Sequence, residues 1–349
     1  MKNKAKVFKW IKWAFTAFIL FFLVVAVLSL DAAELFDALR QIPIWAIVVL
    51  FITQIFTKLI INYQWFTIAR SFGSLITYLR TIFLNSKAEI MLAAPTGQIG
   101  CDVFRAVSFS KEGNLPATSG AAVVAVQKIF TLSAFFIISL ISAVFFVRQV
   151  PVLQQPSIQV ILYVVIGLAL TFFGAIFIFP HRLRDKFSKD PNKQSRFKAL
   201  RSVQGFFAES LEHIYLIRKN KKLMIKLVIL AIVIWLLYPL KMYLLAVQLL
   251  PGVNMIYIFA AVYLAYTVSL IPIFPAGIGG FEPTLIVLLM IIGISDSGAV
   301  VLTVIFRFAT FWFMVISSLI FIPIYRIFNP KSKDIVVSED DFEEATAHN

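Results

Sequence analysis

Residues 275–282 read Pro-Ala-Gly-Ile-Gly-Gly-Phe-Glu, and residues 95–102 read Pro-Thr-Gly-Gln-Ile-Gly-Cys-Asp. The two stretches lie about 180 residues apart within hydrophobic sequence and share the pattern P-[T/A]-G-x-x-G-x-[D/E]. Each is followed by a helix that reaches a basic residue, Lys128 after the first copy and Arg307 after the second. Gly/Pro breaks at corresponding positions of two halves are typical of transporters whose binding site lies at the interface between repeats.

The composition is that of a membrane protein. Of the 349 residues, 60% are hydrophobic and only 14% are charged, and 36 are phenylalanine. An apolar run of about 20 residues is long enough to cross a bilayer. We predict spans at 14–30, 43–61, 117–147, 158–179, 223–249 and 299–326, with shorter or interrupted apolar stretches at 75–94, 255–271 and 281–293.

The net charge of +14 is concentrated in alternate loops. Five lysines lie in residues 2–12 and thirteen Lys or Arg residues in 182–226, whereas 31–42 is acidic. Because basic loops mark the cytoplasmic side, we predict a protein of a bacterial or archaeal cytoplasmic membrane with both termini in the cytoplasm. Residues 182–226 would then face anionic lipid, and nucleic acid is not expected as a partner.

The spans divide the chain into two halves of opposite orientation. Residues 1–150 form the first membrane repeat and 151–330 the second, which carries a basic cytoplasmic insertion at about 180–222. The acidic tail, 331–349, is predicted to be disordered. Irregular backbone at membrane depth requires surrounding protein or a water-filled cavity. The predicted fold is therefore all-α: a polytopic membrane protein of two inverted repeats with interrupted, re-entrant helices around a central cavity.

Two structural alternatives stay open. The stretches 255–271 and 281–293 are either the arms of a re-entrant hairpin or two tilted crossings. Apolar residues recur at three- and four-residue steps over 197–214, which indicates an amphipathic helix. Such a helix either lies on the membrane surface or packs as a lid on the cytoplasmic ends of the spans.

Ionisable residues at membrane depth are the candidate binding site, because each costs at least about 2.5–3.5 kcal/mol to insert. Arg307 lies about nine residues, or roughly 14 Å, into its helix, and Lys128 is its first-half counterpart. Two cations from opposite halves suit a phosphate group. The acids after the breaks either bind substrate, complement helix starts or pair with these cations. The candidate substrate-binding residues are Arg307, Lys128, Glu282, Asp102 and Arg105.

The glycines and prolines of the two phrases are predicted to form backbone breaks or hinges. This set consists of Pro95, Gly97, Gly100, Pro275, Gly277, Gly279 and Gly280. Glu89, just before the first break, is a sixth ionisable residue in the apolar sequence. It is the least favoured of the six for a functional role, because a position at headgroup level facing water is the expectation for it.

No nucleophile–base constellation and no Cys/His cluster with metal-ligand spacing is evident, so no catalytic residue, metal or cofactor is expected. Two alternatives to transport stay open. The acidic residues Asp31, Glu34 and Asp37 could serve a membrane glycosyltransferase that uses a lipid-linked sugar donor. A non-transporting scaffold could instead anchor a soluble enzyme through 182–226. Homo-oligomerisation also stays open.

At these residues the chain resembles the lysylphosphatidylglycerol synthase transmembrane-region family of flippase-like integral membrane proteins. The resemblance covers about residues 10–328 and rests on Pro95, Gly100-Cys-Asp102-Val-Phe-Arg105, Pro272, Pro275, Gly277-Ile278-Gly279-Gly280-Phe281-Glu282, Gly293 and Arg307. It implies movement of a polar or charged lipid between leaflets. The pair of cations at Lys128 and Arg307 indicates that this lipid carries a phosphate. The catalytic domain of longer relatives is a separate soluble module that nothing in this sequence could house, so lysyl-lipid synthesis is not expected. Where the family usually has Glu-Arg, this chain has Gln127-Lys128, so no headgroup preference is carried over.

Overall fold

The structure is a computed structural model that describes residues 32–93, 97–147, 155–188, 198–270, 277 and 279–329. Within these ranges every regular element is a helix, so the predicted all-α membrane fold class is confirmed. The parts of the predictions that lie outside the described residues are the span 14–30, the tail 331–349, Asp31, Pro95 and Pro275.

The described helices follow one another in chain order. They are α1 (Ala32–Arg40), α2 (Ile44–Ser71), α3 (Tyr78–Ile90), α4 (Gly97–Gly113), α5 (Ala117–Val147), α6 (Pro156–Ile178), α7 (Pro180–Ser188), α8 (Lys198–Lys219), α9 (Lys221–Leu249), α10 (Met255–Ser269), α11 (Phe281–Ile292), α12 (Asp296–Arg307) and α13 (Phe313–Phe328). A 3₁₀ turn at Met91–Ala93 follows α3, and a π-helical turn at Phe308–Trp312 joins α12 to α13.

Four helices of the described part are long and apolar enough to cross a membrane. They are Ile44–Ser71, Ala117–Val144, Lys221–Leu249 and Asp296–Phe328, the last of which comprises α12, the π turn and α13. These helices coincide with four of the predicted spans. Large apolar side chains are exposed along them, for example Ile52, Ile137 and Leu319, as expected where lipid rather than water covers the surface.

Both interrupted regions form helical hairpins. Helices α3 and α4 pack against each other around the first break, and α10 and α11 do so around the second. The four arms contain 13, 17, 15 and 12 residues in chain order. At 1.5 Å per residue even α4 is only about 26 Å long, short of the roughly 30 Å hydrocarbon core. These lengths favour the re-entrant interpretation over two tilted crossings.

The two breaks have different backbones. Gly277 and Gly279 adopt positive φ angles of 74° and 83°, which side chains with a Cβ rarely adopt. A Cβ on Gly277 would also lie 2.9 Å from the Cβ of Ser269. In the first break, by contrast, Gly97 begins α4 and Gly100 is buried in its first turn. Among the described glycines of the two phrases, left-handed backbone therefore occurs only in the second copy, at Gly277 and Gly279.

The chain divides into two compact units. Unit 1 consists of Met1–Phe56, Ile137–Val164 and Leu236–Phe313, and unit 2 of Thr57–Phe136, Val165–Trp235 and Met314–Asn349. The α10–α11 hairpin belongs to unit 1, whose apolar core includes Leu50, Met242 and Phe306. The α3–α4 hairpin belongs to unit 2, whose core includes Trp65, Phe83 and Phe130. Each unit draws on both halves of the sequence, and the inverted orientation of the two repeats stays a prediction.

The basic insertion contains two helices that pack against each other, α7 and α8. Arg184 of α7 pairs with Glu212 of α8, and the hydrogen bond between them raises the pKa of Arg184 above its ordinary value. The predicted amphipathic helix is confirmed as α8. Leu211 and Ile214 on its apolar side are buried in the core of unit 2. This part of α8 therefore packs against other helices, as the lid alternative predicts.

Replacing Gly120 with Ala is predicted to destabilise unit 2. A Cβ on Gly120 in α5 would lie 2.3 Å from the carbonyl oxygen of Ala106 and 2.8 Å from the Cβ of Ser110 in α4, so the two helices would have to separate. Overpacking of this kind costs about 1–3 kcal/mol, which offsets or exceeds the ~1 kcal/mol that alanine gains over glycine in a helix. The Tm of the purified Gly120→Ala protein, followed by tryptophan fluorescence in detergent, should fall.

Gly167→Ala in α6 is the matched control, because no atom lies within 4 Å of a Cβ built on Gly167. This variant should unfold at the wild-type temperature or above it. A Gly120→Ala protein as stable as the Gly167→Ala protein would show that α4 and α5 do not approach each other closely at Gly120.

Candidate functional site

The carboxylate of Glu282 holds the second break against α12 in unit 1. Its Oε2 accepts a hydrogen bond from the Gly279 N–H at 2.7 Å, and its Oε1 lies 2.8 Å from Nε of Arg307. The helix start at Gly280 has no side-chain cap of its own, so Glu282 supplies an acceptor for a backbone N–H that the helix leaves free. A negative charge in this first turn also complements the helix dipole.

Arg307 is held between two aromatic rings. Its guanidinium carbon lies 5.1 Å from the ring centroid of Phe281 and 4.9 Å from that of Phe311, within the range of cation–π attraction. The side chains of Arg307 and Glu282 are only 12% and 11% exposed. Arg307 is the last residue of α12, and the π turn begins at the next position. The cation that we predicted as the main substrate-binding group is thus engaged by a carboxylate and two rings.

The first-half candidates form a second cluster, in unit 2. Asp102 Oδ1 accepts hydrogen bonds from Arg105 Nη1 at 3.2 Å and from Gln98 Nε2 at 3.0 Å. Asp102 Oδ2 lies 3.1 Å from Lys128 Nζ. Lys128 is 33% exposed through its side chain, whereas Arg105 is 9% exposed. Two cations therefore share one carboxylate, and the more accessible cation is Lys128.

The same acid–base pairing occurs after each break. Asp102 pairs with Lys128 and Glu282 with Arg307, so the alternative in which the acids pair with nearby cations is confirmed. The parallel extends to Thr131, three residues after Lys128, whose hydroxyl donates to the carbonyl of Gln127 in its own helix. Thr310 and Phe306 make the equivalent bond three residues after Arg307. Lys128 and Arg307 belong to different units, and their convergence on one headgroup stays a prediction.

A chain of buried amides extends the unit 2 cluster from α4 to α2. Arg105 Nε donates to Asn85 Oδ1 at 3.0 Å, and Asn85 Nδ2 donates to Asn62 Oδ1 at 2.8 Å. Asn62 Nδ2 in turn donates to the carbonyl oxygen of Lys58, also at 2.8 Å. Both asparagines are at most 1% exposed. Networks of this kind rigidify a core because each buried polar group has a partner.

The network ends at a buried ion pair that the sequence did not reveal. Lys58 Nζ lies 2.9 Å from Glu89 Oε2 and donates to the hydroxyl of Ser318 in α13 at 2.7 Å. That hydroxyl donates to Glu89 at 2.6 Å. Glu89 is only 2% exposed, so the expectation that it faces water at headgroup level is wrong. The ammonium of Lys58 compensates the charge of the buried carboxylate.

Lys241 in α9 is a second ionisable residue that sequence reasoning missed. It is 1% exposed, and its Nζ donates to Oε1 of Gln54 in α2. The ammonium also lies 4.7 Å from the ring centroid of Tyr238. Both Lys58 and Lys241 interrupt apolar spans. That interruption is the sequence signal for them, although neither residue lies near a Gly/Pro break.

Of the residues that suggested a glycosyltransferase, Glu34 and Asp37 lie on α1. Asp37 is 4.0 Å from Arg40, and both side chains are exposed, as is Glu34. Among the described residues, no group of three or more His, Cys, Asp or Glu side chains could hold a metal ion. Cys101 is buried as a free thiol in the described part of α4.

The family model described as the lysylphosphatidylglycerol synthase TM region matches residues 9–318. This match includes both breaks, both acid–base pairs and the two lysines within α2 and α9. No curated protein matches the chain. The matched region is a transmembrane region, in agreement with the four long apolar helices.

The Glu282–Arg307 pair is predicted to be strongly coupled. Glu282→Gln and Arg307→Gln should each destabilise the protein, because each leaves a charge buried without its partner. The double variant should lose less than the sum of the single losses, by about 1 kcal/mol or more, as is usual for residues in contact. Unfolding by SDS in mixed micelles measures the four stabilities of this cycle.

The exposed pair Asp37–Arg40 on α1 provides the control cycle in the same unit. Asp37→Asn and Arg40→Gln should show a coupling of no more than about 0.5 kcal/mol, since exposed pairs one helical turn apart contribute little. Equal coupling energies in the two cycles would contradict a buried pair at Glu282 and Arg307.

Proposed function

This chain belongs to the lysylphosphatidylglycerol synthase transmembrane-region family, and from that membership we propose that it is a lipid flippase. Its substrate is a polar or charged lipid whose headgroup carries a phosphate. The long apolar helices and the short hairpin arms support this proposal, because interrupted helices provide backbone and side-chain contacts at membrane depth. The protein's own site then has to hold a headgroup while the acyl chains stay in the bilayer.

The observation that carries the proposal is the surplus of positive charge around Asp102. Arg105 and Lys128 both contact this one carboxylate, so the three side chains together bear a net charge of about +1 at neutral pH. An incoming phosphate oxygen can therefore interact with Lys128 without first removing Asp102. Lys128 is a third exposed, and its flexible ammonium can turn toward a headgroup as a point charge.

The remaining residues of this site keep Lys128 in place. Arg105 is bonded on one side to Asp102 and on the other to Asn85, so the carboxylate that anchors Lys128 is itself fixed. We assign Lys128 to direct headgroup contact and Arg105 to positioning. In unit 1 Arg307 forms an ion pair with Glu282, and we assign to Arg307 the role of holding the second hairpin against α12.

The movement follows from the repeat architecture. We propose that the headgroup enters from one leaflet, binds at Lys128, and leaves to the other leaflet when one repeat moves against the other. A cytoplasmic location of both termini accords with the distribution of basic loops. Exposed basic residues in the insertion, including Arg182, Arg218 and Lys219, would attract anionic lipid on the same side.

The test is leaflet-specific quenching of fluorescent lipids in liposomes that contain the purified protein. Labelled phosphatidylglycerol, which is anionic, is compared with labelled phosphatidylcholine, which is zwitterionic. We expect faster movement of phosphatidylglycerol, and a loss of about tenfold or more in Lys128→Gln. That loss is the expected effect of removing one charge-assisted contact worth about 1.5–3 kcal/mol.

Lys111→Gln is the control, because it removes one positive charge from the exposed part of α4 away from Asp102. Its rate should equal that of the wild type. Movement of both lipids at the same rate, or an undiminished rate in Lys128→Gln, would count against headgroup recognition at Lys128. No movement of any lipid in the wild type would count against the flippase itself.

A further inference from the structure

Lys241 is a buried cation that contacts no carboxylate within the part of the chain that the structure describes. Its polar contacts are the amide oxygen of Gln54 and the ring of Tyr238. Burying an ammonium without a counter-ion is far more costly than burying a paired one. The other charged side chains described in unit 1, none of which forms an ion pair with Lys241, are Glu34, Asp37, Arg40, Glu282, Asp296 and Arg307.

A paired lysine occurs in the span that precedes the first break, as Lys241 occurs in the span that precedes the second. Lys58 lies in the span before the first break and is neutralised by Glu89, six residues before Pro95. The position six residues before Pro275 is Ser269. Helix α10, which is the arm that corresponds to α3, contains no acidic residue at all. The span before each break therefore contains a buried lysine, but among the described residues only the first of these lysines has a carboxylate beside it.

Gln54 is suited to both protonation states of a lysine. Its amide oxygen accepts a hydrogen bond from the ammonium, while its Nε2 is buried and has no hydrogen-bond partner among the described residues. Rotation of the amide by half a turn exchanges oxygen and nitrogen. The Nε2–H group would then donate to the lone pair of a neutral amine. Loss of the proton thus replaces one hydrogen bond with another.

The other ionisable side chains at membrane depth do not share this property. Lys58 and Glu282 each have a buried partner of opposite charge, so a change in protonation would leave that partner buried alone. Asp102 contacts two cations, Arg105 and Lys128. The tyrosines of α9 and α10 are Tyr238, whose ring Lys241 contacts, and Tyr243, Tyr257, Tyr263 and Tyr266. Neither helix contains an acidic residue.

We propose that Lys241, together with Gln54, is the proton-binding site that couples lipid movement to a transmembrane pH difference. The proposal rests on the flippase function inferred above and supplies its energy source. In each cycle Nζ takes a proton from water on one side of the membrane and releases it to water on the other. Gln54 accepts from the ammonium in the first state and donates to the amine in the second.

The experiment measures the leaflet distribution of labelled phosphatidylglycerol in proteoliposomes at equilibrium. One sample has equal pH on both sides and the other a difference of one pH unit, with valinomycin and equal K⁺ holding the membrane potential near zero. One proton per lipid biases the distribution by up to about tenfold in the wild type. Lys241→Gln should still move the lipid but distribute it equally under both conditions. Lys241→Met is the second variant in case the first does not fold, and Arg40→Gln on α1 is the charge-matched control, which should keep the bias.

Each outcome separates the coupling from the flippase itself. A wild type that moves the lipid without any bias would overturn the coupling and leave the flippase intact. Bias that persists in Lys241→Gln and Lys241→Met would remove Lys241 as the proton carrier. A complete loss of lipid movement in folded variants at equal pH would assign Lys241 to the translocation path instead. No movement in the wild type would remove the flippase, and the coupling with it.

Discussion

The cost of charge inside apolar helices is the constraint on which this structure depends. Removing one partner of a buried ion pair costs about 3–5 kcal/mol, so each pair acts as a fixed link between two helices. Within the described residues, two buried pairs join a hairpin arm to a long helix: Glu89 in α3 to Lys58 in α2, and Glu282 in α11 to Arg307 in α12. A third pair, Asp102 in α4 with Lys128 in α5, makes the same kind of connection but is partly exposed. Three of the four arms, α3, α4 and α11, take part in one of these pairs, whereas α10 contains no charged residue.

The breaks supply the acids at the positions where these links are needed. At the second break, Gly277 and Gly279 turn the backbone through positive φ angles, and Glu282 then binds both the Gly279 N–H and Arg307. One carboxylate thereby satisfies a helix start and neutralises a cation. At the first break Asp102 lies further into its helix and is supported by Gln98, four residues earlier. Each copy of the phrase thus forms an acid–base pair within its own half, although the local backbone differs between the two copies.

The sequence predicted the features that have a local or periodic signature. Apolar length predicted the four long spans that the structure describes, and the Gly/Pro phrases predicted the hairpins. Pairing of Asp102 and Glu282 with nearby cations was one of the alternatives that the residue types left open. The sequence did not predict contacts that depend on distant parts of the chain. Gln54 and Lys241 are 187 positions apart, and no periodicity relates them. The prediction for Glu89 was wrong for the same reason, because its partners Lys58 and Ser318 come from helices that only the fold brings together.

The two halves have similar helices and breaks but differ in how firmly their buried lysines are paired. In unit 2 the lysine of the span, Lys58, is fixed by Glu89 and Ser318, and an amide chain continues from it to Arg105. Lys241, in the span before the second break, contacts a neutral amide and a ring within the described residues, and no carboxylate there. The second half also contains the π turn at Phe308–Trp312, whereas α5 is α-helical throughout the equivalent residues after Lys128. π turns are frequent at functional sites. The adaptable lysine and the irregular helix therefore occur in the same half, which makes that half the better candidate for conformational change and the first half the better candidate for a rigid frame.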